Sequence, residues 1–182
     1  MSRVGVYGGT FDPIHLGHLR VVTELIERKI VDQLLLIPAG QPMLREIEPV
    51  ATPSQRRTMC QLALADLPAK ISSKVIVNPI EILREGPSYA IDTVEAIKQN
   101  YPNDAIVLVV GQDAARKLDS WHRIDELRDI VEFVVINRPG FDGVGLDIGA
   151  LEIAATSIRE GLSKEVSPSV ATFIRENNLY DT

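Results

Sequence analysis

The sequence has little of several features that define whole classes of proteins. Cysteine occurs once in 182 residues, at Cys60, which excludes a disulfide framework and a cysteine-rich zinc site. Cys60 lies on the apolar face of a predicted helix, where we expect a small buried side chain. Aromatic residues make up only 5% of the chain, and Trp121 is its single tryptophan. The longest apolar run, Ala105–Val110, is far too short to span a bilayer.

Positive charge is also scarce. Lysine and arginine total 19 against 25 aspartates and glutamates, a net charge of -6 at pH 7. A general nucleic-acid binder carries a basic stripe, so we expect no nucleic-acid partner, and any anionic ligand must be met by local donors. The first residues lead into an apolar strand rather than a targeting peptide, which predicts a cytoplasmic protein without a membrane partner. The length suits one domain over residues 1–182 and leaves a homo-oligomer open.

Two common glycine fingerprints are missing as well. No G-x-G-x-x-G follows a predicted strand, and no G-x-x-x-x-G-K-[ST] occurs, so neither hydride transfer with a dinucleotide nor an ordinary NTPase is favoured. No Ser-His-Asp or Cys-His arrangement is recognisable either. A covalent nucleophile is therefore not indicated.

What the chain does contain is an alternation of apolar strands and helical patterns. This predicts an α/β fold, a single Rossmann-like domain with an open, mostly parallel sheet, helices on both faces and a helical C-terminal segment. The predicted strands are Arg3–Tyr7, Gln33–Pro38, Lys74–Ile82, Ala105–Val110 and Val131–Asn137. The predicted helices cover 16–29, 52–66 with Thr52 as its cap, 91–100, 114–117, 123–128, a short helix opened by Thr156, and 168–177. The polar stretch Gly40–Thr52 is expected to be a mobile loop over the site.

The first strand is followed by an unusual group of residues. Gly8 and Gly9 allow a backbone to approach a ligand closely, and His15 and His18 lie one turn apart at the start of the next helix. Free N–H groups and the positive end of the helix dipole make that place suitable for an anion. Two histidines could also be metal ligands or simple capping residues, but a third ligand at useful spacing is missing.

The segment GGTFDPIHLGHL, residues 8–19, resembles the first motif of the nucleotidyltransferase superfamily, which carries H-x-G-H. Three later stretches, Arg84–Thr93, Gly111–Asp113 with Trp121, and Ile153–Arg159, resemble the nicotinate mononucleotide adenylyltransferases of bacterial NAD synthesis. The resemblance implies transfer of the adenylyl group of ATP to nicotinate mononucleotide. The alternatives are a phosphopantetheine adenylyltransferase, a cytidylyltransferase, or a nucleotide-binding protein with impaired catalysis.

The resemblance also assigns the site. It implies catalytic roles for His15, His18 and Arg159. ATP would contact the two motifs and the ends of later strands: Gly8, Gly9, Thr10, Phe11, His15, His18, Gly111, Asp113, Arg138, Thr156, Ser157, Ile158 and Arg159. The mononucleotide would contact Thr10, Arg45, Ser88, Tyr89, Ala90, Trp121 and His122. Mg²⁺ would arrive with ATP, and no protein-held metal is expected.

The chain departs from the family pattern in two places. Ala154 and Ala155 stand where the second motif normally has two serines, and Leu44 and Arg45 stand where a histidine and a lysine are common. These departures favour the alternative of impaired catalysis, because hydrogen bonds from the missing side chains are lost. The retained histidines and Arg159 favour an active enzyme.

Several residues have a second interpretation from sequence alone. Trp121 is either a platform for the pyridine ring or a core residue. Asp113 either accepts from ribose hydroxyls or caps the next helix, and Thr156 is expected to cap the helix that it opens. Arg138 faces either ATP phosphates or solvent. Arg56 and Arg57 begin a helix and are expected to form a solvated face.

Overall fold

The computed structural model describes residues 1–42, 48–137 and 145–180. Within these ranges, one sheet of parallel strands has the order β3-β2-β1-β4-β5. The strands are β1 (Arg3–Gly9), β2 (Gln33–Pro38), β3 (Val75–Val77), β4 (Ala105–Gly111) and β5 (Glu132–Ile136). The predicted α/β architecture is confirmed.

The helices follow the predicted alternation. They are α1 (Leu16–Glu27), α2 (Pro53–Ala65), α3 (Ala69–Ser72), α4 (Ile80–Leu83), α5 (Ala90–Asn100), α6 (Gln112–Ala115), α7 (Ile124–Ile130), α8 (Ala155–Arg159) and α9 (Pro168–Glu176). A 3₁₀ turn covers Leu118–Ser120. Helix α2 begins as its sequence predicts, because the Thr52 hydroxyl accepts from the Gln55 N–H at 3.2 Å while the Gln55 side chain accepts from the Thr52 N–H at 2.9 Å.

Two hydrophobic cores lie on opposite faces of the sheet. Successive strand side chains point to opposite faces, so Leu34 and Leu36 pack in one core and Leu35 and Ile37 in the other. Residues of α1, α2 and α9 join the first core, and residues of α5 and α7 join the second. Cys60 is fully buried in the first core as expected, and burial raises the pKa of its thiol. No helix in the described ranges is long and apolar enough to cross a membrane.

The strand order creates a crevice. The chain builds β1, β2 and β3 outward in one direction and then returns to pair β4 with the other edge of β1. Where the direction of winding reverses, the connections at the carboxyl ends of β1 and β4 turn to opposite faces of the sheet. The motif that follows β1 is therefore at the opening of this crevice.

Several predicted boundaries differ from the structure by a few residues, and two of them bear on the site. Strand β1 does not end at Tyr7 but continues through Gly8 and Gly9, which pair with Ile37 and Pro38 of β2. Two glycines therefore do not interrupt the pairing of β1 with β2 before the turn. The segment 74–82 is not one strand, since β3 ends at Val77 and α4 begins at Ile80. The side chain of Asn78 accepts from the Ile80 N–H at 3.0 Å, and this local bond favours the turn into α4.

Candidate active site

A cavity of about 880 Å³ opens at the carboxyl ends of β1, β2 and β4. It brings together ten of the predicted site residues: Gly8, Gly9, Thr10, Ser88, Tyr89, Ala90, Gly111, Asp113, Trp121 and His122. Glu81 and Lys117 also line it, and the sequence motifs did not indicate them, while Thr93 in the lining ends the predicted substrate loop Arg84–Thr93. His15 and His18, in the segment after β1, and Arg159, in α8, are not part of the cavity wall.

Gly8 and Gly9 of the first motif have different structural roles. A Cβ atom on Gly9 would lie 2.8 Å from ring atoms of Phe11, so Gly9 is required by internal packing. A Cβ atom on Gly8 would meet nothing closer than the Ile37 carbonyl oxygen at 4.0 Å. Gly8 also lines the cavity, so it is the glycine that leaves room for a ligand. Phe11 is buried with φ of 50°, and only its backbone could reach a ligand.

His15 and His18 form a stacked pair at the start of α1. His15 is the N-cap residue and is buried, His18 is half-buried, and their ring centroids are 3.7 Å apart. The backbone N–H of His15 donates to Nδ1 of His18 at 3.2 Å. Because Nδ1 accepts, the proton of the neutral His18 ring is on Nε2. The fold therefore fixes His18 as a donor through Nε2.

Arg159 connects the second motif to the first. Its Nη1 donates to the Asp12 carbonyl oxygen at 2.7 Å, and its Nη2 donates to the Thr156 hydroxyl at 3.0 Å. Thr156 does not cap α8, contrary to the prediction. The N-cap is Ala154, two residues before the predicted cap, and it makes no side-chain cap, so the Thr156 hydroxyl lies inside the helix and accepts from Arg159 instead. The Ile158 side chain is buried, while Ser157 is half-buried.

Asp12 is a buried carboxylate that joins distant parts of the chain. Its Oδ1 accepts from the Ala51 N–H at 3.0 Å and from the Tyr180 hydroxyl at 2.8 Å, and its Oδ2 accepts from the Val50 N–H at 3.0 Å. Burial and the Asp12 carboxylate raise the pKa of Tyr180. Asp12 thus holds the loop before α2 and the C-terminal segment against the first motif.

The Tyr180 contact can be tested with a single-atom change. Tyr180→Phe removes a hydrogen bond to a buried carboxylate, so the free energy of unfolding should fall by about 1–3 kcal/mol, measured by urea denaturation. Tyr101→Phe removes the same hydroxyl from another partly buried tyrosine and should change stability by less than about 0.5 kcal/mol. Equal stability of the two variants would contradict the role given to Tyr180.

Arg56 is the largest departure from the predicted solvated face. It is 1% exposed, and its guanidinium donates to the carbonyl oxygens of Ala51 at 3.2 Å, Thr10 at 2.7 Å and Gly40 at 3.3 Å. These carbonyls belong to the loops before α2, after β1 and after β2. Arg56 therefore fixes three loops at the edge of the site, whereas its neighbour Arg57 is half-buried.

Aromatic side chains form the far wall of the cavity. Trp121 is half-buried and packs against the second core, which agrees with its interpretation as a core residue. It also lines the cavity, and its role as a platform for the pyridine ring stays a prediction. The rings of Tyr89 and His122 lie beside it, with centroids 4.4 Å apart. Arg123 ion-pairs with Glu95 at 2.8 Å, which joins this segment to α5. The wall is suited to a flat ring.

A polar group lies under the start of α5. The Ser88 hydroxyl accepts from the backbone N–H groups of Gly40 at 3.2 Å and Gln41 at 3.1 Å, so it joins the loop after β2 to the predicted substrate loop. The Thr93 hydroxyl donates to the Glu81 carboxylate at 2.7 Å. Burial raises the pKa of Glu81.

The remaining predicted residues have mixed outcomes. Asp113 is within α6, whose N-cap is Gly111, so its interpretation as a helix cap is wrong and its position in the cavity wall stands. Arg45 and Arg138 lie outside the described residues, as does part of the predicted loop Gly40–Thr52. Across the part of the chain that the structure describes, no group of three or more His, Cys, Asp or Glu side chains is arranged to hold a metal ion.

Comparison with known proteins agrees with this geometry. The model of the cytidylyltransferase-like family matches residues 6–175. A probable nicotinate-nucleotide adenylyltransferase of Shouchella clausii is 35% identical over 192 residues, 99% of this chain and 97% of that protein. The nicotinate-nucleotide adenylyltransferase of Bacillus subtilis is 32% identical over 194 residues, covering 100% of both chains.

A solved structure supports the same fold. The Plasmodium falciparum nicotinic acid mononucleotide adenylyltransferase complexed with NaAD superposes with a TM-score of 0.84. The match covers 100% of this chain and 98% of the other, at 20% sequence identity, which is a likeness of fold. The sheet order and the helices on both faces are thus those of a Rossmann-like α/β protein.

Proposed function

Because the chain belongs to the cytidylyltransferase-like family, and within it to the nicotinate-nucleotide adenylyltransferases, we propose that it transfers the adenylyl group of ATP to nicotinate mononucleotide. The products are nicotinate adenine dinucleotide and pyrophosphate, as in NAD synthesis. The observation that carries the proposal is the bond from Arg159 to the Asp12 carbonyl, which joins both family motifs next to a cavity of about 880 Å³.

The chemistry needs positioning more than proton transfer. The attacking group is the phosphate of the mononucleotide, which is largely dianionic near neutrality because the second pKa of a phosphate monoester is about 6. No general base is required to activate it. What is required is an in-line arrangement of two anions and neutralisation of the charge that develops on the α-phosphate and the departing pyrophosphate.

The residues after β1 supply donors for that charge. The Nε2–H of His18 would donate to the α-phosphate in the transition state, since Nδ1 is already occupied by the His15 N–H. His15 stacks on His18 and holds its ring at the start of α1. Arg159 and the Thr156–Ser157 segment would hold the leaving pyrophosphate, and Gly8 leaves space for the phosphates.

The cavity would hold the mononucleotide. Trp121 would stack on the pyridine ring, and the backbone N–H groups of Ala90 and His122 would donate to the ring carboxylate. Asp113 would accept from ribose hydroxyls. Mg²⁺ would enter as part of the ATP substrate, bound to its phosphates. Contacts from Arg45 and Arg138 stay predictions.

The alanines of the second motif favour impaired catalysis less than the sequence alone suggests. Arg159 is held by a backbone carbonyl of the first motif and by Thr156, and neither bond uses the positions of Ala154 and Ala155. Loss of the two serines therefore does not release the arginine. This supports an active enzyme, and a single nucleotidyltransferase domain over residues 1–182 stays a prediction.

An acceptor panel tests the proposal. The protein is incubated with Mg-ATP and, separately, nicotinate mononucleotide, nicotinamide mononucleotide or phosphopantetheine, and pyrophosphate is measured. We expect the greatest release with nicotinate mononucleotide. Release with phosphopantetheine alone would favour that transferase class, and ATP binding without release for any acceptor would favour an inactive nucleotide-binding protein. A cytoplasmic location and a homo-oligomer stay predictions.

A further inference from the structure

The cavity wall contains a single lysine or arginine among the residues that the structure describes, and it is Lys117. Two carboxylates, Glu81 and Asp113, line the same cavity. Lys117 is exposed, and its ammonium makes no ion pair with any residue in the ranges 1–42, 48–137 and 145–180. An anionic ligand in this cavity would therefore meet one positive charge that no described carboxylate neutralises.

The backbone holds Lys117 next to the aromatic wall. It lies one turn before Trp121, and both residues line the cavity. The Lys117 carbonyl oxygen accepts from the Ser120 N–H at 3.0 Å and from the Ser120 hydroxyl at 2.7 Å, and the Trp121 N–H donates to the Leu118 carbonyl at 2.9 Å. These bonds form a tight turn that fixes the Lys117 backbone relative to the ring-stacking surface.

We propose that Lys117 is a specificity-determining residue that favours the acid form of the mononucleotide over its amide by placing a positive charge beside the pyridine carboxylate. The inference rests on the proposed function. Backbone N–H groups at Ala90 and His122 can donate to either a carboxylate or an amide oxygen, so they discriminate weakly. An ammonium gains Coulomb energy only with the charged carboxylate, because the amide carries no charge.

The test compares two substrates in one variant. The ratio of kcat/KM for nicotinate mononucleotide to that for nicotinamide mononucleotide is measured at low ionic strength in the natural chain and in Lys117→Gln. We expect the ratio to fall by about 3- to 10-fold in the variant, because this is the change in affinity that the loss of an exposed ion pair typically causes. Lys117→Arg should keep most of the ratio, and added salt should lower the ratio of the natural chain.

Arg116→Gln is the matched control. It removes the same charge from the adjacent exposed residue, which is not part of the cavity wall, and it should leave the ratio unchanged. Two results for Lys117→Gln would overturn the proposal. If kcat/KM falls equally for both mononucleotides, the charge acts on the phosphate that they share. If kcat/KM falls for neither, the charge does not act on the substrate at all. Inactivity of the natural chain with both mononucleotides would instead overturn the proposed function.

Discussion

Replacing His18 with alanine is expected to lower kcat by about 100-fold or more, as the loss of one preorganised donor to a developing oxyanion does elsewhere. The donor is Nε2–H, whose position is set by the hydrogen bond from the His15 N–H to Nδ1. Because this contact forms with the charge of the transition state, the KM values for both substrates should change much less than kcat. Single-turnover formation of the dinucleotide measures the effect.

His18→Asn separates the chemical role of this residue from its structural one. The asparagine side-chain oxygen can accept from the His15 N–H in place of Nδ1, but the side chain is too short to supply the Nε2 donor. The variant should keep a normal melting temperature and lose turnover as His18→Ala does. Near-normal turnover in both variants, with normal melting, would remove the central role given to His18.

The second large effect concerns stability. Arg56→Met should lower the free energy of unfolding by about 3 kcal/mol or more, because three carbonyl oxygens lose a buried donor and each such loss costs about 1–3 kcal/mol. For a chain of this length, that corresponds to a fall in Tm of roughly 6–12 °C. Thermal and urea denaturation both measure it.

The neighbouring residue provides the control. Arg57→Met removes an identical side chain one position away, and its Nε has no hydrogen-bond partner among the described residues, so the variant should lose less than about 1 kcal/mol. Arg56→Lys keeps the charge, but its donors are all on one nitrogen and cannot take the positions of Nε, Nη1 and Nη2, so the stability of this variant should be intermediate. A cost of Arg56→Met no larger than that of Arg57→Met would contradict the role assigned to the buried guanidinium.

Local signals predicted most of the fold. The capping residues Thr52 and Gln55 located the start of α2 correctly, because capping depends on neighbours within one turn. The apolar run Ala105–Val110 was correctly predicted to be the buried strand β4, because a strand covered on both faces is apolar at successive positions. The α4 helix was missed because it is a single turn, and such short segments are decided by packing rather than by periodicity.

The candidate site was predicted only where a motif carries it. The roles of Asp12 and Arg56 could not be read from sequence, since their partners are far away in the chain: Tyr180 for the first and Thr10 for the second. The spacing of Arg56 from Cys60 and Ala63 does put it on the buried face of α2, so periodicity indicated which of the two adjacent arginines turns inward. Lys117 lies outside every motif, and only the turn between α6 and α7 brings it to the cavity wall.

The central claim is that the mononucleotide phosphate displaces pyrophosphate directly, with the chain supplying positioned donors and no nucleophile. Exchange of labelled pyrophosphate into ATP tests this most directly. Without a mononucleotide or a dinucleotide, we predict no label in ATP; after nicotinate adenine dinucleotide is added, label should enter ATP through the reverse reaction. Exchange with ATP and pyrophosphate alone would reveal an adenylylated enzyme and contradict the claim.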